Sequence, residues 1–414
     1  MGYFSLPDEY LLNIDYILKR ADNSWMKILQ SEFNISKKRK SEESRKEILH
    51  GVMFGAIPFD FFIEWLCHVE LEGNNSVFIY EAEENDFLSN ITIDELYEAN
   101  QQNVVPIYEL NPNTLNEITL VNVKKISSTE QLLLSFAAPA IIHNKKNQNS
   151  LEFKKHIYLA YIVVDFDMKT VNLYLHPTSG LYSICTIPKK RELDELAWLF
   201  MKYFTDNILK FTYKNPEWLH EALSQISSEY FAHNNPLIDL KVNSFLDNCM
   251  DEIIETVSFF DADVKKEDSL LRIKSGIKNI YESELVDIHN RIETNIKFHV
   301  FLQQSDRGAT QYKANSRGKT FSYAESKDII QKMSEHAELF NIGIVHFVED
   351  KQFPYIVKKS EKYFSLKKYT TSGTEKEVID DVLRKLNEYK HEIESIYSYG
   401  ESDDFERRID DAKA

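Results

Sequence analysis

Two apolar runs joined by a short turn decide the fold. They read His156-Ile-Tyr-Leu-Ala-Tyr-Ile-Val-Val164, then Asp165-Phe-Asp-Met-Lys169, then Thr170-Val-Asn-Leu-Tyr-Leu-His176. The first run is almost continuously apolar and rich in β-branched and aromatic residues, which is typical of a strand buried on both faces. The second run alternates, with an apolar face and a polar face. The pattern predicts a β-hairpin at the centre of the fold, with Asp165 to Lys169 as its turn.

Length and composition indicate a globular intracellular protein. The 414 residues suffice for two or three domains, and 26 Phe and 22 Tyr predict a strongly aromatic core. The cysteines, Cys67, Cys185 and Cys249, lie far apart in the sequence, which is typical of reduced thiols. The chain shows neither a secretory signal nor an apolar run long enough to span a bilayer. We therefore predict a soluble, cytoplasmic protein that makes no membrane contact.

The order of patterns along the chain predicts an α+β protein. Residues 1–72 read as a small bundle of four amphipathic helices, and residues 73–295 as an antiparallel sheet covered by a layer of helices. Residues 296–400 read as a C-terminal α/β unit that ends in a long amphipathic helix. The acidic tail, residues 401–414, is predicted to be disordered.

Within this outline, residues 76–188 are predicted to form a meander of strands in one antiparallel sheet. Three segments are predicted to lie outside the sheets. Asn144–Ser150 and Gln303–Thr320 read as polar loops, and Tyr323–Leu339 reads as a helix.

Asp165 and Asp167 are the strongest candidates for catalysis. Side chains two residues apart on a strand share a face, so both carboxylates could hold one divalent ion, as in metal-dependent nucleotidyl transfer. The alternative, which we favour, is that both aspartates form the turn of the hairpin. The sequence contains no phosphate-binding loop, and its histidines lack the spacing of metal ligands, so we predict no cofactor.

The C-terminal region carries a basic segment in an acidic protein. Residues 296–374 contain 13 Lys and Arg against 8 Asp and Glu, a net charge of +5, whereas the whole chain carries −17. Its loop from Asp306 to Lys319 mixes basic, small and aromatic residues, a composition suited to phosphate contacts and to a base stacked on tyrosine. The predicted nucleic-acid-binding residues are Arg307, Tyr312, Lys313, Arg317, Lys319, Lys358 and Lys359.

The order of elements resembles that of the family of centromere protein N and its fungal relatives. The resemblance rests on the apolar pattern of Ile118–Val123, Leu132–Phe136, Tyr158–Val164 and Val171–Leu175, which is similar to that family's central sheet. It implies a small helical domain before the sheet and a strand-rich C-terminal part. It also implies binding of a DNA-containing complex through basic surfaces.

We therefore predict a non-enzymatic binding protein whose partner is nucleic acid, contacted through the C-terminal basic segment. Two alternatives stay open. One is a metal-dependent enzyme, of the nucleotidyl-transfer or nuclease type, that uses Asp165 and Asp167. The other is a protein–protein adaptor that binds its protein partner through the N-terminal helical domain, since small helical bundles often act as interaction modules.

Overall fold

A computed structural model of the protein describes residues 6–83, 90–126, 128–147, 150–189, 193–232, 235–260, 267–289, 296–308, 312–317, 337–370 and 376–411. These residues form ten α-helices and thirteen β-strands, so the predicted α+β class is confirmed. The chain divides into two compact units, one of residues 1–216 and 360–381 and one of residues 217–359 and 382–414. None of the described helices combines the length and apolarity that crossing a bilayer requires.

Four short helices open the first unit, as the sequence predicts. They are α1 (Asp8–Leu18), α2 (Asn23–Glu32), α3 (Ser41–Met53) and α4 (Phe59–Cys67). The side chain of Asp22 caps α2 by accepting a hydrogen bond from the backbone N–H of Ser24 at 2.7 Å. Pro7 and Pro58 immediately precede α1 and α4, since proline is well tolerated at the start of a helix.

The sheet of the first unit is built around the predicted hairpin, in which Ile162 pairs with Leu173. Its strands are β1 (Ser76–Ala82), β2 (Thr119–Ile126), β3 (Gln131–Asn147), β4 (Ser150–Asp165), β5 (Thr170–Leu175), β6 (Leu181–Ile184), β7 (Ile187–Pro188), β8 (Tyr213–Lys214) and β13 (Phe364–Lys368). Within this unit the order is β13-β1-β5-β4-β3-β6-β7, with β2 also paired to β3 and β8 to β1. All of these pairings are antiparallel.

Both faces of the central hairpin are buried by helices. On one face α6 (Asp194–Asn207) covers the sheet together with α5 (Ile93–Gln101), and the Phe200 ring lies 6.0 Å from that of Tyr158. On the other face the hydroxyl of Tyr161 accepts a hydrogen bond from the backbone N–H of Glu70, which follows α4. The polar side of β5 is buried as well, with Asn172 only 1% exposed. The prediction of a sheet covered by helices is confirmed.

Two details of the first unit differ from the prediction. Strand β1 pairs with β5 and not with β2, so the strands do not follow one another as a meander. Part of the predicted Asn144–Ser150 loop is strand, because β3 continues to Asn147 and pairs with the beginning of β4. Polar composition indicated a loop here, but backbone hydrogen bonds between two long strands do not depend on apolar side chains.

The second unit combines four strands with long helices. Its strands are β9 (His299–Gly308), β10 (Tyr312–Asn315), β11 (Ala337–Val348) and β12 (Lys351–Lys359), in the order β10-β9-β11-β12. Its helices are α7 (Trp218–Phe231), α8 (Pro236–Phe260), α9 (Glu267–His289) and, from Val382 onward, α10 (Lys376–Asp411). Helix α7 packs on β9 and β11, where His220 Nδ1 lies 2.8 Å from the carbonyl oxygen of Leu339. The sequence predicted that the long C-terminal helix ends near Gly400, but the helix continues to Asp411, into the segment predicted to be disordered.

Two predictions in this unit are wrong in part. The predicted loop Gln303–Thr320 contains a hairpin, since β9 runs on to Gly308 and β10 pairs with it. The predicted helix Tyr323–Leu339 ends in a strand, because Ala337 to Leu339 belong to β11, and its other residues lie outside the described part of the chain. Buried polar residues of β9, such as Gln303, misled the prediction.

Candidate functional site

Six of the seven predicted nucleic-acid-binding residues lie on three strands of the second unit and on the turn after one of them. Lys313 on β10 and Arg317 just after it are exposed, and Lys358 and Lys359 on β12 are partly exposed. Arg307 and Tyr312 belong to β9 and β10, but their side chains, like all of Lys319, lie outside the described part of the structure.

Strand register places two of these lysines in one row across the sheet. Lys313 pairs with Gln304, Gln304 with Asn341, and Asn341 with Lys358. Directly paired residues of antiparallel strands project to the same face, and here Asn341 Nδ2 donates to Gln304 Oε1 at 3.3 Å. With strands spaced about 4.8 Å apart, the two lysine Cα atoms lie roughly 14 Å apart. This lysine–amide row therefore ends in a cation on each side.

The lysine–amide row faces away from helix α7. The neighbouring row contains Gln303, Ile342 and Val357, which are completely buried and project to the opposite face. On that face Gln303 Nε2 donates a hydrogen bond to the hydroxyl of Ser227 on α7. The lysine–amide row consequently lies on the face of the sheet that α7 leaves uncovered.

Arg317 is held close to the same sheet by its backbone. Its φ of +57° lies in the left-handed region, and its N–H donates to Asn315 Oδ1 at 2.7 Å. The preceding residue, Ser316, donates its N–H to the carbonyl oxygen of Phe301 on β9 at 3.0 Å. The side chain of Arg317 is thus presented to solvent from a fixed turn.

Asp165 and Asp167 occupy different environments at the turn of the central hairpin. Asp165 is 3% exposed, and its carboxylate accepts hydrogen bonds from the Met168 N–H at 2.8 Å and from Gln131 Nε2 at 2.6 Å. Asp167 is exposed to solvent. Both oxygens of Asp165 are therefore engaged in holding the turn. No cluster of three or more His, Cys, Asp or Glu side chains able to hold a metal ion occurs among the described residues.

Gln131 connects Asp165 to a buried lysine from the start of α10. The ammonium of Lys376, which is 8% exposed, donates to Gln131 Oε1 at 3.0 Å and forms a salt bridge with Asp380. Burial raises the pKa of Asp380, and the neighbouring Lys376 opposes that shift. Sequence analysis missed this polar network because Gln131 and Lys376 lie 245 positions apart.

The N-terminal helices hold a second buried polar cluster. The guanidinium of Arg20 donates from Nε to Glu70 Oε1 at 2.8 Å, from Nη2 to the other carboxylate oxygen, and from Nη1 to the carbonyl oxygen of Ile157. His156 Nδ1 lies 2.6 Å from the hydroxyl of Tyr16. Burial, reinforced by the positive charge of Arg20, lowers the pKa of His156 to about 4. These groups connect the helical bundle to β4.

Beside this cluster the first unit contains a groove made of two adjoining cavities. The cavities measure about 340 Å³ and 410 Å³, and both are lined by Trp25, Val69 and Glu72. Trp25 and Trp65 belong to α2 and α4, two of the four amphipathic helices that the sequence predicts, but the sequence did not indicate a groove. Apolar periodicity marks residues that leave water, and it does not distinguish the wall of a cavity from a packed core.

Sequence comparison with family models and curated proteins finds no relative. No protein-family model matches the chain, and no curated protein is significantly similar to it in sequence. The resemblance to the family of centromere protein N consequently stays a prediction.

Proposed function

We propose that the protein is a non-enzymatic binding protein whose second unit contacts nucleic acid. The observation that carries the proposal is the register that aligns Lys313 and Lys358 with two amide side chains on one face of the sheet. Ammonium groups neutralise phosphates, and amide side chains can bond to phosphate, sugar or base edges. Arg317 adds a further exposed cation beside β10.

The spacing of the cations supports contacts to a single strand. Two lysines whose Cα atoms lie roughly 14 Å apart can each contact a different phosphate of the same strand. The amide of Gln304, which accepts a hydrogen bond from Asn341, lies between the two lysines and can contact an intervening nucleotide. Such contacts position a strand without reading its sequence, so we propose low sequence specificity.

Fluorescence anisotropy with labelled single-stranded DNA, double-stranded DNA and RNA of equal length tests this function. Because the chain carries a net charge of −17, binding should be measured at low salt and then followed as salt increases. Lys313→Ala and Arg317→Ala should each weaken binding to all sequences alike. Each should also flatten the log–log dependence on salt by roughly 0.7 to 0.9 units per lost phosphate contact.

Lys351→Ala is the matched control, because Lys351 is an exposed lysine at the opposite end of β12. This variant should leave both the affinity and the salt dependence at the values of the parent protein. An equal loss of affinity in all three variants would indicate that the probe is attracted by surface charge in general and does not bind at the lysine–amide row. The absence of binding to every probe at low salt would refute the proposed function.

A further inference from the structure

The groove of the first unit has an apolar half and a polar half. The apolar half is the cavity of about 340 Å³, large enough for a fused two-ring system. Its walls include Trp25, Phe61 and Trp65 from α2 and α4, with Leu133 from β3. Aromatic side chains provide large flat surfaces that favour stacking with planar ligands.

The charged groups around the apolar half have partners, and Glu72, which lines both halves, accepts a hydrogen bond from the backbone N–H of Lys376. Lys124 forms a salt bridge with Glu64, and Lys376 forms one with Asp380. A ligand in this half therefore gains little from carrying a charge, whereas an apolar ring gains the free energy of leaving water. The chemistry of this half fits an aromatic ring without an ionised group.

The polar half is lined by more acidic than basic side chains. Its ionisable lining comprises Asp22, Glu70 and Glu72 against the single guanidinium of Arg20, which is bonded to Glu70. His176 also lines this half, and burial lowers the pKa of its imidazole, so it stays neutral at pH 7. The excess of carboxylates favours a cation, and the indole ring of Trp25 at the boundary of the two halves can contact an ammonium group through its face.

We propose that this groove is a binding site for a small arylalkylamine, a molecule with a planar aromatic ring system at one end and an ammonium group at the other. The ring occupies the cavity between Trp25, Phe61 and Trp65. The ammonium group lies in the polar half, near Asp22 and Glu72. This site is in the first unit and does not depend on the proposed nucleic-acid contacts of the second.

Three dansyl compounds that share one ring system test both halves of the groove. Dansylcadaverine carries an ammonium group, dansylamide is neutral, and dansylglycine carries a carboxylate. The full-length protein should bind dansylcadaverine saturably and more tightly than dansylamide, with dansylglycine weakest. Energy transfer from tryptophan to the bound dansyl group should decrease in Trp25→Ala and in Trp65→Ala, whose affinity should fall roughly tenfold.

Two further variants separate ring binding from charge recognition. Trp198→Ala removes an exposed tryptophan of α6 outside the groove, and it should leave dansylcadaverine affinity unchanged. Asp22→Asn keeps a residue that caps α2 equally well. It should lower the affinity for dansylcadaverine roughly two- to fivefold and leave the affinity for dansylamide unchanged. Unfolding midpoints of the variants show whether a loss of binding reflects a loss of fold.

Several outcomes would overturn the proposal. They are the absence of saturable binding by dansylcadaverine, an equal effect of Trp198→Ala and Trp65→Ala, and binding of dansylglycine as tight as that of dansylcadaverine. If Asp22→Asn lowered the affinity for all three compounds equally, the assignment of the ammonium group to the polar half would be wrong.

Discussion

Removing one partner of the Arg20–Glu70 ion pair should destabilise the protein more than removing both. The two side chains are only 8% and 9% exposed, and three hydrogen bonds from the guanidinium tie the turn after α1 to Glu70 and to β4. Arg20→Met leaves the carboxylate of Glu70 buried without its counter-charge. Breaking a buried pair in this way costs about 3–5 kcal/mol.

The double variant, Arg20→Met with Glu70→Gln, should lose less stability, because no buried charge remains. It still leaves the carbonyl oxygen of Ile157 without its donor, which costs about 1–3 kcal/mol. The coupling energy between the two positions, from the double-mutant cycle, should therefore be at least about 1 kcal/mol and favourable to the pair.

Urea unfolding at pH 7, followed by circular dichroism, gives the free energies of unfolding for this cycle. The control pair is Glu42 with Lys46, a salt bridge on the surface of α3 whose side chains are 68% and 72% exposed. Replacing either of its members should leave the unfolding midpoint unchanged. Two results would contradict this prediction. One is a decrease of less than about 1 kcal/mol in the free energy of unfolding for Arg20→Met, and the other is a double variant whose decrease equals the sum of the two single decreases.

Three further outcomes follow from the first unit. Leu173→Ala removes a completely buried side chain from the central hairpin, and it should lower the free energy of unfolding by about 2–5 kcal/mol in urea titrations. Asp165→Asn should lower the unfolding midpoint because its carboxylate holds the turn, Asp167→Asn should not, and calorimetric titration with Mg²⁺ should detect no site that either variant removes. Burial lowers the pKa values of His68 and His156 to about 4, so the unfolded chain takes up protons first as the pH falls. The contribution of these two histidines to the free energy of unfolding should therefore be constant above about pH 6.5. It should decline between about pH 6.5 and 4, by up to about 1.4 kcal/mol per pH unit for each histidine. A flat stability profile over this interval would contradict the assignment.

Apolar periodicity along the sequence predicted those helices and strands whose buried residues are mainly apolar. The four N-terminal helices and the central hairpin were found where apolar periodicity placed them. The β9–β10 hairpin was missed because Gln303 and Ser305 are polar yet buried, and the Gln303 side chain bonds to Ser227, 76 positions away. The pairing of β1 with β13 brings together residues almost 300 positions apart, and no local pattern encodes such a contact.

The candidate sites were predicted less completely than the elements. Basic composition drew attention to Lys313 and Lys358, but their alignment depends on the register of four strands, including a shift at Phe340. The groove went unnoticed because Trp25 and Trp65 satisfy the same periodicity as core residues. A cavity exists only where neighbouring elements fail to fill the space between them, which a single helix pattern cannot show.

The division of the chain between the two units has a consequence for protein synthesis. The chain changes unit after residues 216, 359 and 381, so each unit is completed by residues near the C-terminus. A ribosome adds roughly 5–20 residues per second, so β1 would wait roughly ten seconds or more for β13 to emerge. During that interval a strand edge rich in apolar residues is available to other nascent chains. We therefore expect a chain shortened before Ser360 to aggregate on expression, although every residue of the central hairpin is present.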